Sequence, residues 1–144
     1  KTGSKSNSEN LDYRKKPVVE VNPVGETIAT RKEIKNYKTY WGRCGIKVKI
    51  DKDAILPERM AAGFDYKDGI IYVREKPSNI SMAHEGYHTK QWLKLGKEEY
   101  LKLTRLQREE LVYEQIMKNQ YRFDKASIDN AKIYIDRLRL ELGE

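Results

Sequence analysis

The sequence predicts an α+β domain: an N-terminal helix and a small antiparallel sheet, followed by three helices. Three observations carry this expectation. Period-two alternation and an Asp-Gly turn fall together between residues 45 and 75. Beyond Pro77, apolar residues recur at helical spacing, with cap residues at the starts and a glycine stop. A single capped amphipathic stretch precedes both.

Taken in order, residues 1–26 read as a linker or the end of a preceding region. KTGSKSNSEN is polar and aperiodic, and Pro17 and Pro23 interrupt the stretch after it, where a short strand is expected at most over 17–21. The chain opens on Lys1 and not Met, so it is read as a piece of a longer protein. Thr30 and Glu33 have capping-box spacing, and Ile34, Tyr37 and Trp41 share one face, which predicts a helix over 30–41 ending at Gly42. Ile46, Val48 and Ile50 alternate with Lys47 and Lys49, so 45–51 is a half-buried strand. Strands over 63–67 and 70–75 flank Asp68-Gly69, the signal of a two-residue hairpin. Ser78 or Asn79 caps a helix that runs to Leu95 and stops at Gly96. Further helices are expected over 97–119 and 125–142, the last with Ile128, Ala131, Ile135, Leu138 and Leu142 in a stripe.

Composition narrows the function classes. The 144 residues suit one domain; ten Tyr, two Trp and two Phe supply core material despite 35% charged residues. No apolar run is long enough for a membrane span, and no signal-peptide pattern appears. Cys44 is the single cysteine, which excludes an intrachain disulfide and a multi-cysteine zinc site. The net charge of +7 points first to nucleic acid, but residues 1–49 hold 12 basic and 5 acidic residues, whereas 50–144 hold 17 of each. A basic arm on a neutral domain weighs against nucleic acid as the partner.

The chemistry sits in His84-Glu85-Gly86-Tyr87-His88, an HExxH motif inside the predicted helix 79–95. Side chains four apart on a helix share a face, so two imidazoles converge on one ion. Glu85, one step round the helix, is poorly placed as a ligand of that ion and well placed to take a proton from a water in its open position. These are the only two histidines, and Met82, Ala83, Gly86, Tyr87 and Thr89 around them are uncharged. Gly86 costs about 1 kcal/mol against Ala in a helix interior, which implies a close approach there. The alternative is an amphipathic helix that carries two histidines by chance.

A third ligand is needed, and no histidine remains. The extended HExxHxxGxxH pattern fails, with Gln91 at the glycine position and Lys94 at the last histidine. A carboxylate is left, from Glu109, Glu110 or Glu114. On the wheel of that helix Leu103, Leu106, Val112, Tyr113, Ile116 and Met117 form an apolar stripe. Glu109 lies near its middle, Glu110 nearer an edge and Glu114 outside it. A carboxylate in mid-stripe is protonated, paired or metal-bound, because an unpaired buried charge is costly. Glu109 is therefore the expected third ligand, with Glu110 in reserve and Asp124 next. A solvated surface glutamate is the bland alternative.

HEGYHTKQWLKLGKEEYLKLTRLQREELVY resembles the zincin-like metallopeptidase domains at the C-termini of bacterial polymorphic toxins. The similarity covers residues 27–144. Its more specific part is Gln91, Gly96, Tyr100 and Leu103, then Arg108-Glu109 and Val112-Tyr113; Lys90 departs from the apolar residue usual in such helices. The resemblance implies a minimal zincin-like fold and a Zn2+ site completed by a glutamate that maps onto Glu109. It also implies a toxin domain, part of a secreted bacterial effector delivered into a target cell and neutralised by an immunity protein.

The expected reaction is zinc-assisted hydrolysis of a peptide bond, with His84, His88 and Glu109 as ligands and Glu85 as general base. Tyr66, Tyr72, Tyr113 and Tyr121 are candidates for a hydroxyl that stabilises the oxyanion, each with a packing role as the alternative. Strand 70–75 is the expected edge for an extended substrate. Two other readings stand: a basic nucleic-acid-binding module using residues 1–49, with zinc structural or absent, and a zinc hydrolase of a non-peptide amide.

Overall fold

The computed structural model describes residues 19–57 and 60–143. The α+β class holds: a three-stranded sheet is packed with five α-helices. Residues 1–18 of the stretch read as linker, with the start of the strand expected over 17–21, lie outside the described residues. Past them, Val21 bridges Thr27 and Ile28 bridges Ser78.

Helix α1 spans Arg31–Arg43, and its start is the capping box its sequence announces. Thr30 Oγ1 accepts from Glu33 N at 3.1 Å, and Glu33 Oε1 accepts from Thr30 N at 2.8 Å. Such a cap contributes about 1 kcal/mol. The helix ends one residue past Gly42, and the reversal is made by Gly45 at φ 80°, a backbone state glycine adopts without strain.

Strands β1 (Lys47–Ile50), β2 (Ala62–Asp65) and β3 (Ile70–Val73) come next. The sheet is mixed, not wholly antiparallel. β3 lies in the middle, antiparallel to β2 with Asp65 opposite Ile70, and parallel to β1 with Lys47 opposite Ile70. The connection 51–61 is long enough to carry the chain past β3's place, so β1 need not pair with β2. Asp51 pins the start of that connection through Ile55 N at 2.8 Å and Leu56 N at 2.9 Å. Arg74 holds its far end, donating to Pro57 O at 2.7 Å and Met60 O at 2.9 Å. The β2–β3 loop runs over 66–69, four residues and not the two expected, with Gly69 at φ 69° beneath the Trp92 ring.

Helix α2 (Asn79–Leu95) carries HExxH, starts at a Ser78 cap and stops at Gly96, as expected. The helix expected over 97–119 is two: α3 (Lys97–Lys102) and α4 (Arg105–Lys118). The chain extends at Leu103, and Thr104 with Gln107 forms a fresh capping box at 3.0 and 2.8 Å. A 3-10 turn (Gln120–Arg122) leads to α5 (Lys125–Leu142), capped by Asp124. Three helices thus come after α2, where two were expected.

Two apolar clusters clamp α2. One joins Trp41, Ile46, Val48, Ile71, Val73 and Met82 between α1, the sheet and α2. The other joins Ile80, Tyr87, Val112 and Ile116, with Ile128 and Ala131 against them, between α2, α4 and α5. Gly86 faces the first cluster: a Cβ there would lie 3.2 Å from the Trp41 ring, the close approach its presence in a helix implies.

Candidate metal centre

α2 presents His84 and His88 to the same side, their ring centroids 4.9 Å apart. α4 brings one carboxylate to meet them. Glu109 Oε1 is 2.9 Å from His84 Nε2, and Glu109 Oε2 is 3.0 Å from His88 Nε2. The ligand-capable atoms of all three residues lie within 4.8 Å of one another. The carboxylate reaches inward because Val112 and Ile116, three and seven positions on, bury the same face of α4 against α2.

The neighbouring acids have other occupations. Glu110 turns outward and takes Arg139 through two contacts of 2.7 Å. Glu114 is exposed. Asp124 accepts the N–H groups of Ser127 at 2.7 Å and Thr27 at 2.9 Å; these bonds outweigh burial and hold its carboxyl down at about 2. It is a helix cap, away from the histidines.

Burial sets the electrostatics. Desolvation pushes the Glu109 carboxyl up, but contacts with His84 and His88 outweigh it and hold the group well below the usual carboxylate range. Desolvation pulls His84 down, and Glu109 and Glu85 overcome it, so the net direction is up. Glu85 is raised: burial dominates, the Glu109 charge adds to it, and the histidines oppose it. A raised carboxyl beside two imidazoles is suited to accept a proton.

The donor set fits a metal. Two imidazole nitrogens and a carboxylate oxygen are the ligands zinc takes in open sites. Glu109 Oε1 is buried and accepts no hydrogen bond, although His84 Nε2 is 2.9 Å away. Close approach without hydrogen-bond alignment is the arrangement of two atoms directed at a common third point. Behind the ligands, Tyr100 OH lies 3.4 Å from His88 Nδ1, a long contact on the ring nitrogen that faces away from Glu109.

The three residues open into a cleft of about 440 Å³, walled by the β2 edge on one side and by α4 and α5 on the other. Ala62, Gly63 and Phe64 line it, so the exposed edge is β2; strand 70–75, expected in that role, is paired on both sides. Of the four tyrosines named from sequence, Tyr66 lines the cleft. Tyr72 sits in the central strand, Tyr113 packs 5.7 Å from the Arg139 guanidinium, and Tyr121 is 82% exposed. Tyr134, missed from sequence, lines the cleft with its ring 5.8 Å from His84. Periodicity holds no signal for it, since its place depends on how α5 crosses α4.

A model of one protein family, described as metallopeptidase toxin 4, matches residues 14–141. The chain belongs to that family. It is a metallopeptidase toxin domain, and the family implies a metal, for which His84, His88 and Glu109 form a candidate site. Comparison with the curated proteins and with solved structures gives no match.

Proposed function

We propose that this domain is a zinc-dependent peptidase acting as the toxin portion of a secreted bacterial effector. The observation that carries the reading is the convergence of His84 Nε2, His88 Nε2 and the Glu109 carboxylate on one point at the floor of a cleft. These three residues hold the ion, and Glu85 is the general base. Zinc at such a site supplies a Lewis acid for the carbonyl and makes water acidic enough to attack near neutral pH.

The chain's own residues do the rest. The β2 edge offers free backbone groups along which an extended peptide lies as an added strand. Glu85 takes the proton of the attacking water and passes it to the departing amine, a transfer its raised pKa favours. Tyr134, which lines the cleft with its ring 5.8 Å from that of His84, is the residue we assign to donate to the developing oxyanion. Burial and the Glu109 charge raise its pKa against the opposing pull of the Arg105 guanidinium, so the hydroxyl keeps its proton and can donate it in a hydrogen bond. Tyr100 orients His88. The toxin reading also implies a protein substrate in the target cell and a cognate immunity protein. Among the described residues no helix is long and apolar enough to cross a membrane.

Metal analysis of the purified domain, with a proteome-wide search for new termini made by wild type and by Glu85→Gln, tests the proposal. One zinc per chain and termini produced only by wild type are expected. A metal-free preparation that is fully active sinks it.

A further inference from the structure

We propose that the cleft carries a subsite for a carboxylate of the substrate, built from Arg105 and Arg108 at the start of α4. The inference rests on the peptidase reading and names the chemistry of its substrate. Both arginines line the cleft within one turn of Glu109. Each is one aromatic ring away from a histidine. Arg105 lies beside Tyr134, whose ring is 5.8 Å from His84. Arg108 lies 5.3 Å from the Tyr100 ring centroid, and Tyr100 OH touches His88 Nδ1 at 3.4 Å.

Arg108 is held in place before anything binds. Its Nη1 donates to Leu103 O at 2.8 Å, and the guanidinium rests over Tyr100 and, at 6.0 Å, over Tyr66. Two other arginines are also held by side-chain hydrogen bonds. Arg74 has Asp51 at 3.4 Å and Arg139 has Glu110 at 2.7 Å. Arg108, like Arg105, has no carboxylate partner among the described residues. A half-buried guanidinium between aromatic rings keeps several N–H donors of its fork unused, and a carboxylate matches that fork with two parallel bonds.

The acids in the cleft do not fill this role. Glu109 is engaged by both histidines, and Glu85 forms no ion pair with either arginine. Glu26 accepts from Asn22 Nδ2 and Asn130 Nδ2, both at 3.1 Å, and lies with Ser81 at the end where α2 begins. Arg105 and Arg108 are thus the cleft's cationic side chains left for a substrate carboxylate. An Asp or Glu side chain supplies that group in an internal cut, and a free chain terminus supplies it in a terminal cut.

The test uses decapeptide libraries, amidated at the C-terminus, with Glu, Gln or Lys fixed at one position, and the Gln library again as the free acid. Retention on immobilised, zinc-loaded Glu85→Gln protein is measured beside cleavage by zinc-loaded wild type. The Glu library, the free-acid library or both should be retained about tenfold or more above the amidated Gln library, the range of a charge-assisted hydrogen bond. Enrichment of Glu marks the side-chain source; enrichment of the free acid marks the terminus. Arg105→Gln and Arg108→Gln, each placed in the Glu85→Gln protein, should bring the ratio toward one. Arg105 is exposed, so its variant keeps the test valid should Arg108→Gln misfold. Lys47→Gln, on the far sheet edge, removes the same charge and should leave the ratio high.

Equal retention of the four libraries, preference for Lys, or an equal loss in Lys47→Gln overturns the subsite. If wild type cleaves no library while the carboxylate preference and its arginine dependence persist, the peptidase reading falls and the binding site stands.

Discussion

The inner and outer faces of α4 carry the same residue type one position apart and treat it in opposite ways. Glu109 faces α2, nearly buried, with its two oxygens against two histidines. Glu110 faces solvent and forms a bidentate pair with Arg139. Both carboxyls are held below their ordinary value by their partners, so a lowered pKa alone does not separate them. Burial does. On the exposed face water screens the pair, and such pairs contribute little. On the buried face the charge exists only because something shares it, and that requirement makes the inner face a candidate metal site and the outer face a surface contact.

The largest effect should come from breaking the inner face. Glu109→Ala is expected to lose zinc and activity below detection, whereas Glu110→Ala and Glu114→Ala keep one zinc per chain; chelator competition measures all three. Zinc retained in Glu109→Ala would remove the contrast between the faces.

Next is Glu85→Gln, which is nearly isosteric and cannot take the proton. Peptide hydrolysis should fall about 10²–10⁴-fold, the worth of a single general base, with zinc and the melting temperature retained. Loss of zinc in this variant would make Glu85 a ligand.

A smaller effect concerns pH in the chelator-stripped protein. The lowered Glu109 pKa contributes stability above its ordinary value of 4.5, lost as pH falls through the folded value. The raised His84 pKa contributes stability below its ordinary value of 6.5, lost as pH rises through the folded value. The Tm of stripped protein should therefore be highest between these two ordinary values and drop as pH rises through the raised His84 value. Glu109→Ala should flatten that alkaline drop, and Glu110→Ala should not. Zinc should reverse its sign, since the ligands bind metal only when deprotonated.

The smallest effect is expected on the outer face. Glu110→Ala removes a pair between an exposed acid and an exposed base, and thermal melts should differ least from wild type there, most of all at high salt. A Tm loss as large as that of a core substitution such as Val112→Ala would mean the outer pair fixes the packing of α5.

Some of this was determined by sequence alone. The α+β class, α2 with its Ser78 cap and Gly96 stop, and the shared face of His84 and His88 come from caps and periodicity, which act within one or two turns. The inward direction of Glu109 came from the same source, because Val112 and Ile116 define its face whatever lies opposite. The Thr104–Gln107 box that divides α3 from α4 is equally local, yet the apolar stripe runs on across the break and hides it. Tertiary structure alone decided the sheet order, which made β2 and not 70–75 the cleft edge. It also decided the meeting of Tyr134, Tyr100, Arg105 and Arg108 around the site. The physical reason is range. A cap or a stripe is decided by neighbours in the chain, whereas the partner of a strand edge or the neighbour of a ring depends on how distant elements bury their apolar faces together.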